Sequence, residues 1–170
     1  MHPFHKRLAK EYKELKQNKL PGVRLVDNNN DLTHFIFRVQ IKDNEVYPPL
    51  ELYHLYVDIT KEYPVDSPRV QFIIYDQVPL DEDEDDEVQV VEGIPKIPMH
   101  PHVYSNGHIC LNLLGEDWTP ACSIESTILS IQSMLAANHC VERPPDDAQY
   151  VRHAPKDPKQ TSFSYHDNDV

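Results

Sequence analysis

The side chains best suited to chemistry lie together in residues 97–111, which read IPMHPHVYSNGHICL. His100, His102 and His108 fall within ten residues of Cys110. Imidazole and thiolate groups in one short segment can bind a metal ion, pair as nucleophile and base, or carry an acyl group on sulfur. The spacing of the residues separates these three chemistries.

The spacing argues against a metal site and against a hydrolytic cysteine. Structural zinc sites use paired units such as CxxC or HxxxH, whereas here an H-x-H unit with an internal proline precedes an H-x-C unit. A papain-type cysteine needs an activating histidine and an orienting Asn or Asp, in a sequence context unlike SNGHICLNL. No metal ligand set is therefore predicted.

An acyl-carrying cysteine fits the segment best. Such a cysteine lies on an exposed, extended loop, with hydrogen-bond donors nearby for the oxyanion that forms during transfer. Asn106 and Gly107 predict a turn just before Cys110, and histidine and asparagine side chains surround it. The pattern favours Cys110 as the carrier of a thioester.

Composition excludes several other classes. The net charge is −12, and seven consecutive acids, Asp81 to Glu87, supply −7 of it, which disfavours nucleic-acid binding. No apolar run approaches the ~20 residues that a membrane helix needs, and the charged N-terminus lacks the apolar core of a signal peptide. No glycine-rich phosphate loop is present. Three cysteines, unpaired by count, predict a reducing compartment and hence a cytoplasmic and nuclear location.

Apolar periodicity predicts the elements that hold this segment. A first helix carries its apolar residues at helical spacing and ends at Pro21-Gly22. Strands are predicted over 34–40, 50–60 and 69–75, the last with Val70, Phe72 and Ile74 on one face, and the run from Val23 to Tyr75 predicts an antiparallel meander. The apolar positions of the first helix are Phe4, Leu8, Tyr12 and Leu15.

The second half of the chain predicts two more helices. Ser123 is a good N-cap for a central helix, and a short helix is expected from Asp146 to His153. The apolar stripe of the central helix consists of Ile124, Ile128, Ile131 and Leu135. Together the elements predict an α+β fold: one domain over 1–153 with an acidic insertion at about 76–93, then a flexible tail over 154–170. Cys122 and Cys140 are expected to be packing residues.

Several motifs occur in a characteristic order and carry a resemblance to a known family. They are YPVDSP at 63–68, HPH at 100–102, YSNGHICL at 104–111, EDWTPA at 116–121, RPPD at 143–146, YVR at 150–152 and YHD at 165–167. This order closely resembles the ubiquitin-conjugating enzymes, and most of all the W-type members, which attach ubiquitin to the α-amino group of disordered substrate N-termini. The resemblance spans nearly the whole chain except the insertion, and it implies the family's fold.

The resemblance implies roles around the cysteine. Cys110 would accept activated ubiquitin as a thioester, and His100 would shape the facing loop. His102 stands where most members place an asparagine that supports the oxyanion. An imidazole donates one N–H when neutral and two when protonated. The rate of transfer would therefore depend on pH near 6.5. Asn106 would order the turn and supply donors beside the cysteine.

Two acidic residues, Asp117 and Asp147, would flank the path of the acceptor. W-type sequences tend to have asparagine where this chain has Asp147, and paired tryptophans where it has Phe163-Ser164. A lysine-directed enzyme therefore remains an alternative, as does a noncatalytic binding variant, although such variants lack the cysteine. The acidic insertion is either a selector of partners or a tolerated loop.

The resemblance also implies partner surfaces. Basic residues of the first helix, Lys6, Arg7 and Lys10, would meet the ubiquitin-activating enzyme through charge steering. A RING or U-box ligase would face two loops, one with Tyr63, Pro64 and Val65, the other with Trp118, Thr119, Pro120 and Ala121. No cofactor would be bound, because ATP is used upstream by the activating enzyme. Neither nucleic acid nor a membrane is an expected partner.

Overall fold

The computed structural model describes residues 2–27, 31–75 and 93–161. The acidic run Asp81 to Glu87 and the residues Phe163 and Tyr165 lie outside this part of the chain. The elements are α1 His5–Gln17, β1 Val23–Asp27, β2 His34–Val39, β3 Glu51–Asp58, β4 Arg69–Ile73, β5 Ile94–Pro95, α2 Ile124–Ala136 and α3 Asp147–His153. Short 3-10 helices cover Asn112–Leu114 and Pro158–Gln160. In the described segments, no helix is both long and apolar enough to cross a membrane.

Strands β1 to β4 form an antiparallel meander in chain order, as the alternating pattern predicts. Alternate residues of β2 are buried because successive side chains of a strand point to opposite faces. Phe37 lies beside Leu55, which in turn lies beside Phe72, and all three are at most 1% exposed. The α+β fold and the core face of the sheet are thus confirmed.

The predicted strands differ from the structure at two points. Ile74 is 61% exposed, because β4 ends at Ile73 and the alternation no longer applies beyond it. The two-residue strand β5 pairs in parallel with β3, and the Ile94 amide donates to the Leu50 carbonyl at 2.7 Å. The sequence predicted only a loop there, since two residues show no periodicity.

Helices α1 and α2 pack against the buried face of the sheet. In α1, Leu8 is fully buried, whereas Phe4 precedes the helix and is 41% exposed. Helix α2 begins where predicted: the Ser123 side chain accepts from the Ser126 amide, and the Ser126 side chain accepts from the Ser123 amide. This reciprocal capping satisfies amides that have no partner within the helix. All four apolar residues predicted for its inner face are buried.

Part of the segment predicted as a tail has contacts with the domain. Residues 154–161, which we call the C-terminal strap, cross back over the domain and end in a 3-10 helix in which Pro158 is buried. The carbonyl of Lys156 contacts the His108 ring at 3.2 Å, and Asp157 lies 3.5 Å from Arg69. Polar composition predicted a free tail, but these polar groups have partners in the fold that composition does not reveal.

Candidate active site

The segment around Cys110 is a tight turn fastened to β4. The Tyr104 amide donates to the His108 carbonyl, and the Gly107 carbonyl accepts from the Phe72 amide, both at 2.9 Å. Gly107 has a φ of +93°, and a Cβ there would lie 1.9 Å from the Phe72 carbonyl oxygen. Only glycine permits this backbone conformation and this close approach. The turn therefore fixes where Cys110 lies relative to the sheet.

Asn106 orders the turn from within. Its side-chain oxygen accepts from the His108 amide at 3.1 Å, in the manner of an Asx turn. This is the turn role that the sequence predicted for it.

His100 is held as a neutral, structural imidazole. It is 6% exposed, its Nδ1 accepts from the His102 amide at 2.8 Å, and its other ring nitrogen donates to the Met134 carbonyl. Burial, and then the nearby His102, lower the pKa of His100 to about 4. At neutral pH it shapes the loop and does not act as a base.

His102 contacts the cysteine through its backbone. Its carbonyl accepts from the Cys110 amide at 2.8 Å, and its half-buried ring stands edge-on to the His100 ring, with centroids 5.5 Å apart. The Cys110 amide is thus already engaged and cannot serve as the donor to an oxyanion. The sequence predicts the His102 side chain as a donor to the oxyanion.

Cys110 itself is only 8% exposed, which differs from the exposed loop expected of an acyl carrier. Two tyrosines that sequence reasoning missed, Tyr104 and Tyr150, lie within electrostatic reach of its thiol. Burial raises the pKa of both tyrosines, and the charge of Cys110 raises each of them further. The Cys110 thiol therefore lies in a partly desolvated pocket.

The two tyrosines form a stacked pair that joins the active-site turn to α3. Their ring centroids are 3.8 Å apart, the Tyr104 hydroxyl donates to Asp146 at 3.1 Å, and the Tyr150 hydroxyl lies 2.7 Å from His108 Nδ1. The His108 ring is buried, which lowers its pKa. Both tyrosines occur inside motifs that carried the resemblance, YSNGHICL and YVR, and that was the signal available in the sequence.

The two acidic residues predicted beside the acceptor path lie in different settings. Asp147, in the first turn of α3, accepts from the Ser105 amide at 2.8 Å and so ties α3 to the active-site turn. Asp117 follows the first 3-10 helix, where its backbone amide donates to the Asn112 carbonyl at 3.0 Å and its side chain is exposed.

The first loop assigned to a ligase presents fewer residues than predicted. Tyr63 has 0% exposure and Pro64 is buried, so neither side chain can contact a partner, whereas Val65 is 69% exposed. Tyr63 is buried because its hydroxyl donates to Glu11 at 2.6 Å inside the domain. Val65 is therefore the apolar contact that this loop offers.

The second loop adds three exposed residues, Thr119, Pro120 and Ala121. Trp118 is instead half-buried: its Nε1 donates to the Pro64 carbonyl at 2.9 Å and its ring lies 5.9 Å from the Tyr63 ring. Trp118 thus joins the two loops from behind.

Arg7 does not lie on the outer face of α1 with Lys6 and Lys10, which are exposed. Its guanidinium donates to the carbonyls of Pro120 and Cys122, where the chain enters α2. The side chain is drawn inward because these carbonyls have no partner within a helix. Of the predicted basic surface, Lys6 and Lys10 are the exposed members.

The other two cysteines differ in their exposure. Cys122 is half-buried, but Cys140 is exposed, contrary to the packing role predicted for it. It lies after the end of α2, where the apolar stripe has stopped. Within residues 2–27, 31–75 and 93–161, no three His, Cys, Asp or Glu side chains lie together in a metal-binding arrangement.

Comparison with known proteins agrees with this geometry. Residues 7–166 match the family model described as ubiquitin-conjugating enzyme. The chain is 39% identical over 168 residues to "Ubiquitin-conjugating enzyme E2 W" of Caenorhabditis elegans, covering 97% of this chain and 96% of that one. It is 37% identical over 170 residues to "Probable ubiquitin-conjugating enzyme E2 W-A" of Danio rerio, covering 99% of both.

A solved structure shows the same likeness. The ubiquitin-conjugating enzyme E2 UbcA1 of Agrocybe aegerita superposes with a TM-score of 0.73 at 38% identity, covering 90% of this chain and 96% of that one. With nearly the whole chain matched in sequence and fold, and with the cysteine turn of the motif formed as described, this protein belongs to the ubiquitin-conjugating enzyme family.

Proposed function

We propose that this ubiquitin-conjugating enzyme passes ubiquitin from Cys110 to the α-amino group of flexible substrate N-termini, with a RING or U-box ligase. Two relatives above bear the W designation, and the HPH and RPPD motifs of this chain resemble that type. The preference for an α-amine rests on the hydrogen bonds that two carboxylates, Asp146 and Asp147, accept at the start of α3.

Both of these carboxylates are occupied as hydrogen-bond acceptors. Asp146 accepts from the Tyr104 hydroxyl at 3.1 Å, and Asp147 accepts from the Ser105 amide at 2.8 Å. A carboxylate used in this way is less able to attract a lysine ammonium and take its proton. The acceptor amine must then arrive already deprotonated.

Intrinsic basicity favours an α-amine under that condition. Its pKa is about 7.7–8.0 and that of lysine about 10.4, so near pH 7.2 the α-amine is the more often deprotonated by a factor on the order of 10². A site that gives lysine little help therefore selects α-amines. A disordered N-terminus is the form in which an α-amine can reach a nearly buried sulfur.

The proposal extends to partners and location. Lys6 and Lys10 would guide the ubiquitin-activating enzyme, which uses ATP upstream, so that this enzyme holds no cofactor of its own. The exposed residues Val65, Thr119 and Pro120 would receive the ligase. A nucleophile that works as a free thiol suits the cytoplasm and nucleus, where thiols stay reduced.

The test is a competition between two amines within one acceptor. The charged enzyme is mixed with a peptide that has a flexible N-terminus, one α-amine and one lysine, and fragment mass spectrometry locates the ubiquitin. Matched peptides carry an acetylated N-terminus or arginine in place of lysine. We expect ubiquitin on the α-amine, transfer lost with the acetylated peptide, and a rate that levels off above about pH 8 as the α-amine becomes deprotonated.

The same peptide competition with the Asp147→Asn variant tests whether the aspartate, where W-type sequences tend to have asparagine, alters the preference. An asparagine oxygen can also accept from the Ser105 amide, so the preference should be unchanged. Ubiquitin on lysine, with a rate still rising towards pH 10, would contradict the α-amine preference and favour the lysine-directed alternative.

A further inference from the structure

Near the end of the C-terminal strap, the side chain of Lys159 contacts the first ligase-facing loop, residues 63–68. The Lys159 ammonium donates to the Ser67 carbonyl at 2.8 Å and to the Ser67 hydroxyl at 2.7 Å, and it lies 3.1 Å from an Asp66 oxygen. Its side chain is 21% exposed, so these charge-assisted bonds are partly shielded from water. They are therefore stronger than those of an ordinary surface lysine.

The same loop is bonded to the segment that follows the active-site cysteine. Ser67 is 1% exposed, and while its hydroxyl accepts from Lys159 it donates to the Leu114 carbonyl at 2.7 Å. Leu114 closes the 3-10 helix Asn112–Leu114, which begins two residues after Cys110. A single hydroxyl thus connects the strap, the loop and the active-site segment.

The last residue of the strap, two positions after Lys159, contacts one of the active-site tyrosines. The Thr161 hydroxyl lies 3.2 Å from the Tyr150 hydroxyl, which also contacts His108, and the pKa of Tyr150 responds to Cys110. Lys159 and Thr161 both line a cavity of about 490 Å³, which Ile109 and Leu111 of the active-site segment also line. The polar contacts of Lys159 and Thr161 thus hold this part of the strap beside the active-site segment.

We propose that Lys159 is a positioning residue that couples the ligase-facing loop to the active-site segment, so that a ligase bound at Val65 speeds transfer from Cys110. The inference rests on the proposed ligase contact. Without the ammonium, Ser67 and Asp66 lose their contact with the strap. The strap then no longer fixes the position of Tyr150 relative to the loop at residues 63–68. Charging of Cys110 and its unstimulated discharge do not need this link.

The experiment compares single-turnover discharge of the ubiquitin thioester, to the α-amine peptide, with and without isolated RING and U-box domains. In Lys159→Met we expect the ratio of stimulated to unstimulated rate to fall at least about fivefold, the low end of coupling between sites. Lys159→Arg keeps the cation and should restore most of the ratio. Lys42→Met removes an exposed lysine elsewhere and should leave the ratio unchanged.

Each alternative result has a distinct meaning. A wild-type ratio in Lys159→Met would overturn the coupling role of Lys159 but leave the proposed function intact. Equal losses in the charging, unstimulated and stimulated rates would do the same, because they would indicate that the lysine only stabilises the fold. A wild-type enzyme that none of the domains stimulates would overturn the ligase part of the proposed function, and the coupling with it. Amide hydrogen exchange of residues 154–161 should quicken in Lys159→Met and return to normal in Lys159→Arg.

Discussion

Single residues around the sulfur set the conditions for acyl transfer. Cys110 is 8% exposed and its amide donates to the His102 carbonyl, so the sulfur is nearly buried and the backbone beside it is anchored. A nucleophile fixed in this way loses little entropy on reaching the transition state. The Cys110 amide is then not available to an oxyanion, and the sequence predicts the His102 side chain as a donor instead.

Replacing the nucleophile tests the thioester itself. Cys110→Ala should reduce ubiquitin charging to background, and Cys110→Ser should form an oxyester that resists thiol reductants, because only sulfur makes a linkage that thiols exchange. Non-reducing and reducing gels read both outcomes. A reducible ubiquitin adduct on Cys110→Ala would place the carrier on Cys122 or Cys140 instead.

Replacing His102 separates its side chain from its backbone. The carbonyl that holds the Cys110 amide survives any substitution, so charging should persist in His102→Ala. Discharge to the peptide should slow about 10²-fold, because one donor to the oxyanion is lost. His102→Asn keeps an N–H donor and should discharge at close to the wild-type rate; equal rates for all three proteins would remove the side chain from the mechanism.

At the scale of elements, one buried carboxylate joins α1, α2 and the loop at residues 63–68. Glu11 is 6% exposed, accepts from the Tyr63 hydroxyl at 2.6 Å and from the Ile124 amide at 2.8 Å, and pairs with Arg7 at 3.3 Å. The Ile124 amide is in the first turn of α2 and has no partner within the helix. The carboxylate thus caps a second helix while it fixes the loop that presents Val65.

Two glutamates three residues apart in α1 give a matched prediction. Glu11→Ala should lower the free energy of unfolding by about 3 kcal/mol, since it leaves a buried hydroxyl and an amide without their acceptor and removes the ion-pair partner of Arg7. Among the described residues, the Glu14 side chain has an exposed 3.9 Å pair with Lys10, and Glu14→Ala should cost at most about 0.5 kcal/mol. Urea unfolding measures both, and similar losses would contradict the bridging role of Glu11.

For the whole molecule, buried histidines link stability to pH. His54 has 0% exposure: its Nε2 accepts from Arg38 at 3.1 Å, and among the described residues its Nδ1 has no hydrogen-bond partner. Burial, and then Arg38, lower the pKa of His54 to about 4, the same value as for His100. Both rings are therefore neutral in the folded state at neutral pH.

The sign of the pH effect follows from these values. Unfolded histidine has a pKa of about 6.5, so between pH 6.5 and 4 the unfolded chain binds more protons, and stability falls as the pH falls. His54→Gln should make this decline shallower, whereas replacement of the exposed His139 should not. Urea unfolding at pH 7.5, 6 and 5 tests the difference, and equal slopes for all three proteins would contradict it.

The sequence by itself determined the repeating elements and the reactive residue. Strand alternation, the Ser123 cap and the stripe of α2 are local patterns, so they predicted β2 to β4, α2 and α3 nearly to the residue. A continuous sequence motif likewise predicts Cys110 and the turn before it. The two-residue β5 and the end of β4 at Ile73 were missed, because so few residues carry no period.

Tertiary structure decided which polar groups face inward. Arg7, Tyr63 and Lys159 look like surface residues in the sequence, but each finds partners at least 50 positions away, at Pro120, Glu11 and Ser67. Such contacts depend on where the folded backbone places unpaired carbonyls and carboxylates. Local sequence patterns do not predict those positions. The Tyr104–Tyr150 stack and the strap over the domain arose in the same way, since burying a polar group is favourable only where its partner already lies.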